Sequence, residues 1–134
     1  MEYDHQSKIN EPQIHGQRIL VVDDDDQLQG LLSSALSLFG LSVSLANNGG
    51  EGMREFRYRP FDLVLTDLKM PGIDGMNLAY YIKALSPRKP VVLMTGCGRE
   101  EVTEMRWETL VDHILFKPFH LTELMQVITN LLLP

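Results

Sequence analysis

"RILVVDDDDQLQGLLSSALSLFG", Arg18 to Gly40, is the stretch whose reading decides the fold. It opens with a continuous apolar run of strand length, the pattern of a strand buried on both faces of a parallel sheet. Four aspartates follow, Asp23 to Asp26, and then the period changes. Leu28, Leu31, Leu32, Ala35, Leu36 and Phe39 recur at spacings of three and four, and Gly40 offers a C-terminal stop. A strand thus hands over to a helix through a cluster of carboxylates. Unit charges about 4 Å apart repel by about 4 kcal/mol at an effective dielectric near 20, so such a cluster either disperses into solvent or recruits a cation.

The same alternation repeats downstream. "LSVSLA", residues 41–46, alternates apolar with polar and predicts an edge strand. A short helix with Met53 and Phe56 runs to about Arg57, and "FDLVLT" is a third strand. A helix from Met76 to Leu85 carries Leu78, Ile82 and Leu85, and "VVLMT" is the fourth strand. Residues 99–110 are expected to be helical on a thin stripe of Val102, Met105 and Leu110. "HILF" gives a fifth strand, and a last helix spans Leu121 to Leu132. Residues 1–17 are polar, unpatterned and hold Pro12 and Gly16, so they read as a flexible leader before a domain over 18–134. Strict alternation predicts an α/β domain, a doubly wound five-stranded parallel sheet with right-handed crossovers and five helices. In the strand order 2-1-3-4-5, ligands sit beyond the carboxyl ends of strands one and three.

Composition narrows the function. A chain of 134 residues, 44% hydrophobic, is one globular domain with a real core. Its net charge of -6 and pI near 5.1 speak against direct nucleic-acid binding, which needs clustered Lys and Arg. A lone cysteine, Cys97, forms no internal disulfide. No apolar run reaches the ~20 residues of a membrane span, and the start lacks the order of a secretory signal. A cytoplasmic location without membrane contact is the expectation.

The strand ends carry the chemistry. Strand one ends in Asp23 and Asp24, strand three in Asp67, strand four in Thr95 and strand five in Lys117. Three carboxylates in one cleft suit a hard divalent ion such as Mg²⁺, which takes oxygen ligands. An ammonium and a hydroxyl beside that ion are what a phosphoryl group needs, and an aspartate can accept it as nucleophile. Asp67, alone at the end of an apolar strand, is the expected acceptor, while the pair Asp23 and Asp24 suits the ion.

"ILVVDDDD", "VLTDLKMPGIDG", "VVLMTG" and "LFKPF", in this order and spacing, resemble the receiver domain of bacterial two-component response regulators over about residues 18–133. The resemblance implies the flavodoxin-like receiver fold. It implies that Asp24 ligates Mg²⁺ directly, Asp23 chiefly through water, and the Lys69 backbone carbonyl further, with Asp67 the phosphoacceptor and Thr95 and Lys117 on the phosphoryl oxygens. It also implies a cis Lys117–Pro118 bond. The partners it implies are a sensor histidine kinase or histidine phosphotransfer protein, a downstream effector domain or protein, and a phosphorylation-dependent homodimer. Such a domain catalyses its own modification and turns over no independent substrate, so it is not an enzyme in the ordinary sense. "NLLLP" stops where a last helix would meet a linker, so a single-domain regulator and a receiver of a longer protein both fit.

Departures from that pattern stand at Ile114, where receivers often carry an aromatic, and at Leu110 and Val111, in place of a Gly-Ala pair. Lys69 and Cys97 occupy the variable positions two after the aspartate and two after the threonine, thought to tune phosphoryl lifetime. Asp25 and Asp26 match no essential position and sit at the start of helix one, where negative charge meets the helix dipole favourably. Asp74 is a candidate cap for the next helix, and Pro71 and Gly72 read as turn chemistry. "TGCG" and "GGEG" lack the full context of a nucleotide-binding loop. His5, His15, His113 and His120 lack metal-ligand spacing, Cys97 reads as a small loop residue, and Trp107, Tyr80 and Tyr81 as packing or half-exposed residues. Two other function classes stay open. A Mg²⁺-dependent aspartyl-phosphate phosphatase usually has a second acid where Lys69 stands. A phosphorylation-independent docking module would not need the intact set Asp23, Asp24, Asp67, Thr95 and Lys117.

Overall fold

The computed structural model describes residues 14–133. Along the chain the elements are β1 (Arg18–Val22), α1 (Asp26–Leu38), β2 (Ser42–Ala46), α2 (Gly49–Tyr58), β3 (Leu63–Asp67), α3 (Gly75–Leu85), β4 (Val91–Thr95), α4 (Arg99–Thr103), β5 (His113–Phe116) and α5 (Leu121–Leu132). The five strands are parallel in the order β2-β1-β3-β4-β5, so the expected topology holds. β2 is an edge strand, and only Ala46 in it is fully buried, so its polar positions meet solvent or a half-buried surface. No helix among the described residues is long and apolar enough to cross a membrane.

Period two in the strands divides the core into two halves. Ile19, Val21, Leu63, Leu65, Met94 and Leu115 face α1 and α5, meeting Leu32, Leu36, Leu124 and Ile128. Leu20, Val22, Val64, Leu93 and Ile114 face the other way, onto Leu78, Ala79, Ile82 and Val102. Each fully buried Leu or Ile contributes about 1.5–3 kcal/mol, so the sheet is held by both layers at once. The face that α1 buries is narrower than its sequence stripe: Gln29, Leu32 and Leu36 are buried, whereas Leu31 is 66% exposed and Phe39 47%.

Helix ends follow local chemistry. Asp25 caps α1, its carboxylate accepting from the backbone N–H of Gln27 at 3.0 Å and of Leu28 at 3.2 Å. We expect Asp25→Ala to cost about 1 kcal/mol of stability in chemical denaturation, with phosphoryl uptake retained; an unchanged midpoint would remove the cap from this account. Gly40 ends the same helix at φ +84, with Leu41 N–H on the Leu36 carbonyl and Gly40 N–H on that of Ser37. The residues just before β1, expected as part of a leader, pack onto this corner. Ile14 is buried in the α1–α5 layer, and Gly16 N–H donates to the Gly40 carbonyl at 2.7 Å. The rest of the leader, residues 1–13, lies outside the described residues.

Residues 99–110 do not form one helix. α4 stops at Thr103, Arg106 takes a left-handed φ of +51, and a 3₁₀ turn spans Trp107–Thr109. Glu100, Glu101 and Glu104 are exposed, and only Val102 on α4 is buried. One anchor does not hold a longer helix against the sheet, and the left-handed residue itself costs about 1–2 kcal/mol.

Candidate functional site

β1 and β3 are neighbours, but β1 leads to β2 on its other side, so the connections diverge and leave a cleft at their carboxyl ends. Asp23 follows β1 directly, and Asp67 is the last residue of β3. Asp23, Asp24 and Asp67 each bring a carboxylate oxygen to within 4.8 Å of the others. Asp23 is fully buried, Asp67 is 8% exposed and Asp24 faces solvent.

Lys117, one residue past β5, reaches into this cleft. Its Nζ lies 3.2 Å from Asp67 Oδ1 and 3.7 Å from Asp23 Oδ2. The Lys117–Pro118 bond is cis, as expected, and Lys117 N–H donates to the Thr95 carbonyl at 2.7 Å. Thr95, buried at the end of β4, accepts on Oγ1 from the Cys97 N–H at 2.9 Å. Asp67 Oδ1 accepts from both Leu68 N–H, at 3.0 Å, and Lys117, which leaves Oδ2 without a hydrogen bond among the described residues. One oxygen of this carboxylate is therefore anchored and the other is open.

The buried Asp23 is held at one end. Its Oδ1 accepts from Asp25 N–H at 2.9 Å, whereas Oδ2 is buried and has no hydrogen-bond partner among the described residues. Burial raises the Asp23 pKa above the usual 3.8, and the neighbouring Asp67 and Asp24 charges push the same way; the Asp25 N–H and Lys117 only partly oppose them. The Lys117 ammonium lies within 4 Å of two of these three carboxylates, Asp23 and Asp67. An orphaned buried carboxylate oxygen beside two further carboxylates is the donor set of a hard, oxygen-seeking cation, so these residues fit a divalent ion.

Close packing fixes the far wall. Gly75 opens α3 against the end of β3, where an added Cβ would lie 2.3 Å from the Asp67 carbonyl oxygen. Only glycine admits that approach. Asp74 caps α3 through Asn77 N–H at 2.9 Å, as its position in the sequence suggested. Lys69 stands in the loop between β3 and α3; its carbonyl accepts no hydrogen bond among the described residues, and its ammonium lies 3.3 Å from Glu101 of α4.

Two contributors escape a reading by strand ends. Gln29 of α1 is buried, and its Nε2 donates to the Asp23 carbonyl, to the Ala46 carbonyl at 2.8 Å and to Asn47 Oδ1 at 3.2 Å, tying β1, β2 and the next loop together. A polar residue on the same helical face as Leu32 and Leu36 was the available signal. Glu101 had no signal, because its partner is distant in sequence. His113 is an exposed strand residue and His120 the N-cap residue of α5 without a side-chain capping bond, so neither belongs to the site. Tyr80 is exposed; Tyr81 and Trp107 are half-buried.

Comparison with known proteins points the same way as the geometry. The family model for the response regulator receiver domain matches residues 19–129. The response regulator receiver protein CpdR of Brucella abortus is 31% identical over 116 residues, covering 87% of this chain and 97% of that protein. The transcriptional regulatory protein ZraR of Escherichia coli is 40% identical over 100 residues, 75% of this chain; the match spans only 23% of that protein's length. Among solved structures, the response regulator TrrA of Thermotoga maritima in complex with Mg²⁺–BeF superposes with a TM-score of 0.79 at 30% identity, covering 86% of this chain and 98% of that one.

Proposed function

Because the chain belongs to the response regulator receiver domain family, we propose that it is a phosphoacceptor switch that takes a phosphoryl group from a phosphohistidine onto Asp67. The observation that carries this reading is the asymmetry of the Asp67 carboxylate. Oδ1 is fixed by Leu68 N–H and Lys117, and Oδ2 is left open toward the cleft. As Oδ2 forms its bond to phosphorus, the bond from phosphorus to the histidine nitrogen breaks and the imidazole leaves. In this reading Lys117 and the Thr95 hydroxyl take the phosphoryl oxygens, Lys117 as cation and Thr95 as donor. Asp23, Asp24, Asp67 and the Lys69 carbonyl would hold Mg²⁺, which when bound supplies neutralisation of the charge on the phosphoryl oxygens.

The donor in this reading is a sensor histidine kinase or a histidine phosphotransfer protein in the cytoplasm. The product is a shifted conformational equilibrium read by an effector, not a released compound. Lys69 at the second position after Asp67 speaks against a phosphatase, which usually has an acid there; its ammonium pairs with Glu101. Intact mass after incubation with acetyl phosphate tests the reading. One phosphoryl group is expected with Mg²⁺ and none after chelation, and a protein of unchanged mass under both conditions would point instead to a docking module.

A further inference from the structure

We infer that Arg99 couples the phosphoryl site to α4 and to Trp107 through its stack on Phe116, an inference that rests on the phosphoacceptor reading and concerns how that site is read out. The Arg99 guanidinium carbon lies 4.4 Å from the centroid of the Phe116 ring, well inside the range of a cation–π contact. Arg99 is the first residue of α4, and Phe116 is the last of β5, directly before Lys117. The contact therefore joins the helix after Thr95 to the residue before Lys117.

These residues close a ring. Thr95 Oγ1 accepts from Cys97 N–H, and Gly98 leads from Cys97 to Arg99. Arg99 covers Phe116, Phe116 pairs with Thr95 across the sheet, and Lys117 N–H returns to the Thr95 carbonyl at 2.7 Å. Both groups placed for phosphoryl oxygens, the Thr95 hydroxyl and the Lys117 ammonium, belong to this ring. A hydroxyl has one proton to donate and lone pairs to spare, so Thr95 can hold a phosphoryl oxygen and the Cys97 N–H together. When it turns toward that oxygen it draws the 96–98 loop with it.

The loop has open space at both its glycines. An added Cβ at Gly96 or Gly98 would meet nothing within 4 Å, so no neighbour stands in the way of a small displacement on that side. Without a fixed far end, a shift at Thr95 would dissipate there. The Phe116 stack supplies that end. Cys97, Trp107 and Phe116 are all half-buried against the layer that contains Val102 and Ile114, so a shift of α4 reaches Trp107 through common packing. Arg99 is solvent-exposed, so its removal does not open the core.

Trp107 is the chain's single tryptophan, which makes its emission a direct reporter. The experiment compares wild type with Arg99→Ala, Arg99→Lys and Phe116→Leu, each as the full chain. It records Trp107 emission on addition of Mg²⁺ with beryllium fluoride, and intact mass with acetyl phosphate in parallel. Wild type is expected to change emission. Arg99→Ala and Phe116→Leu are expected to lose about half or more of that change while still gaining one phosphoryl group, and Arg99→Lys to recover part of it by keeping the cation. Full emission change in Arg99→Ala or in Phe116→Leu overturns the coupling, and so does a phosphorylated wild type with constant emission. A wild type that takes up no phosphoryl group overturns the phosphoacceptor reading, and the coupling with it.

Discussion

An Asp67→Asn variant is expected to gain no mass from acetyl phosphate, with or without Mg²⁺, while keeping the fold of wild type. The substitution is nearly isosteric, so Leu68 N–H still finds an oxygen where it now donates to Asp67 Oδ1. What it removes is the open Oδ2 and with it the proposed nucleophile, because an amide nitrogen does not displace a phosphoryl group. The expected effect is loss of uptake to below detection, larger than for any other single change at the site, since in the phosphoacceptor reading Thr95 and Lys117 act only on a group already attached or arriving. Peptide mapping of wild type should place the added mass on the peptide containing Asp67. A variant that gains the same mass as wild type would move the acceptor elsewhere, with Asp24 the one carboxylate of the cluster that faces solvent.

How much of this was legible beforehand depends on the range of the interaction that carries it. β1, β3 and β4 show in sequence because burial on both sheet faces demands apolar residues at every position, and the pattern survives in "ILVV", "LVL" and "VVLM". The meeting of Asp23, Asp67, Thr95 and Lys117 at one edge was legible because a parallel sheet brings every strand's carboxyl end there, so position along the strand sufficed. The α4 region was not. Its helix depends on Val102 alone for anchorage, and the stack of Arg99 on Phe116 joins residues far apart in the chain. Gln29 was hidden for a related reason. An amide on an apolar face reads as an interruption until the Asp23 and Ala46 carbonyls are seen beneath it. The apolar stripe of α1 misled in the opposite direction, since Leu31 and Phe39 keep the period of the buried face yet lie on its flanks. Periodicity finds a helix and its general orientation, but the width of what the helix buries is set by its neighbours.

The second large effect is expected at Asp23, where Asp23→Asn should stabilise the metal-free domain at neutral pH and abolish its response to Mg²⁺. Asp23 is fully buried, its Oδ2 has no hydrogen bond among the described residues, and burial raises its pKa above the usual 3.8, helped by Asp67 and Asp24 and opposed by Asp25 N–H and Lys117. A carboxyl whose folded pKa lies above its unfolded value favours the fold where it is protonated. Its contribution is fully present below pH 3.8 and is lost as pH rises through the raised folded value, so at neutral pH the charged form works against folding. Asparagine keeps an acceptor for Asp25 N–H and turns N–H donors toward Asp24 and Asp67 in place of a third charge. Relief of one unsatisfied buried group is worth about 1–3 kcal/mol. For a domain of this size that is a rise of several degrees in the melting temperature. Wild type should recover by binding: a ligand at about a hundred times its dissociation constant adds about 2.7 kcal/mol to the folded state, a gain the variant forgoes with one of its three carboxylates missing. Thermal melts of both proteins across the acid to neutral range, with Mg²⁺ and with chelator, separate these contributions. The metal-free difference should shrink as pH falls toward 3.8, because Asp23 in wild type then takes up its proton and loses the charge that asparagine lacks. A variant less stable than wild type in chelator at neutral pH, or a difference that widens on acidification, would show that the buried charge is already compensated within the protein, and the case for a cation at this cleft would lose its main support.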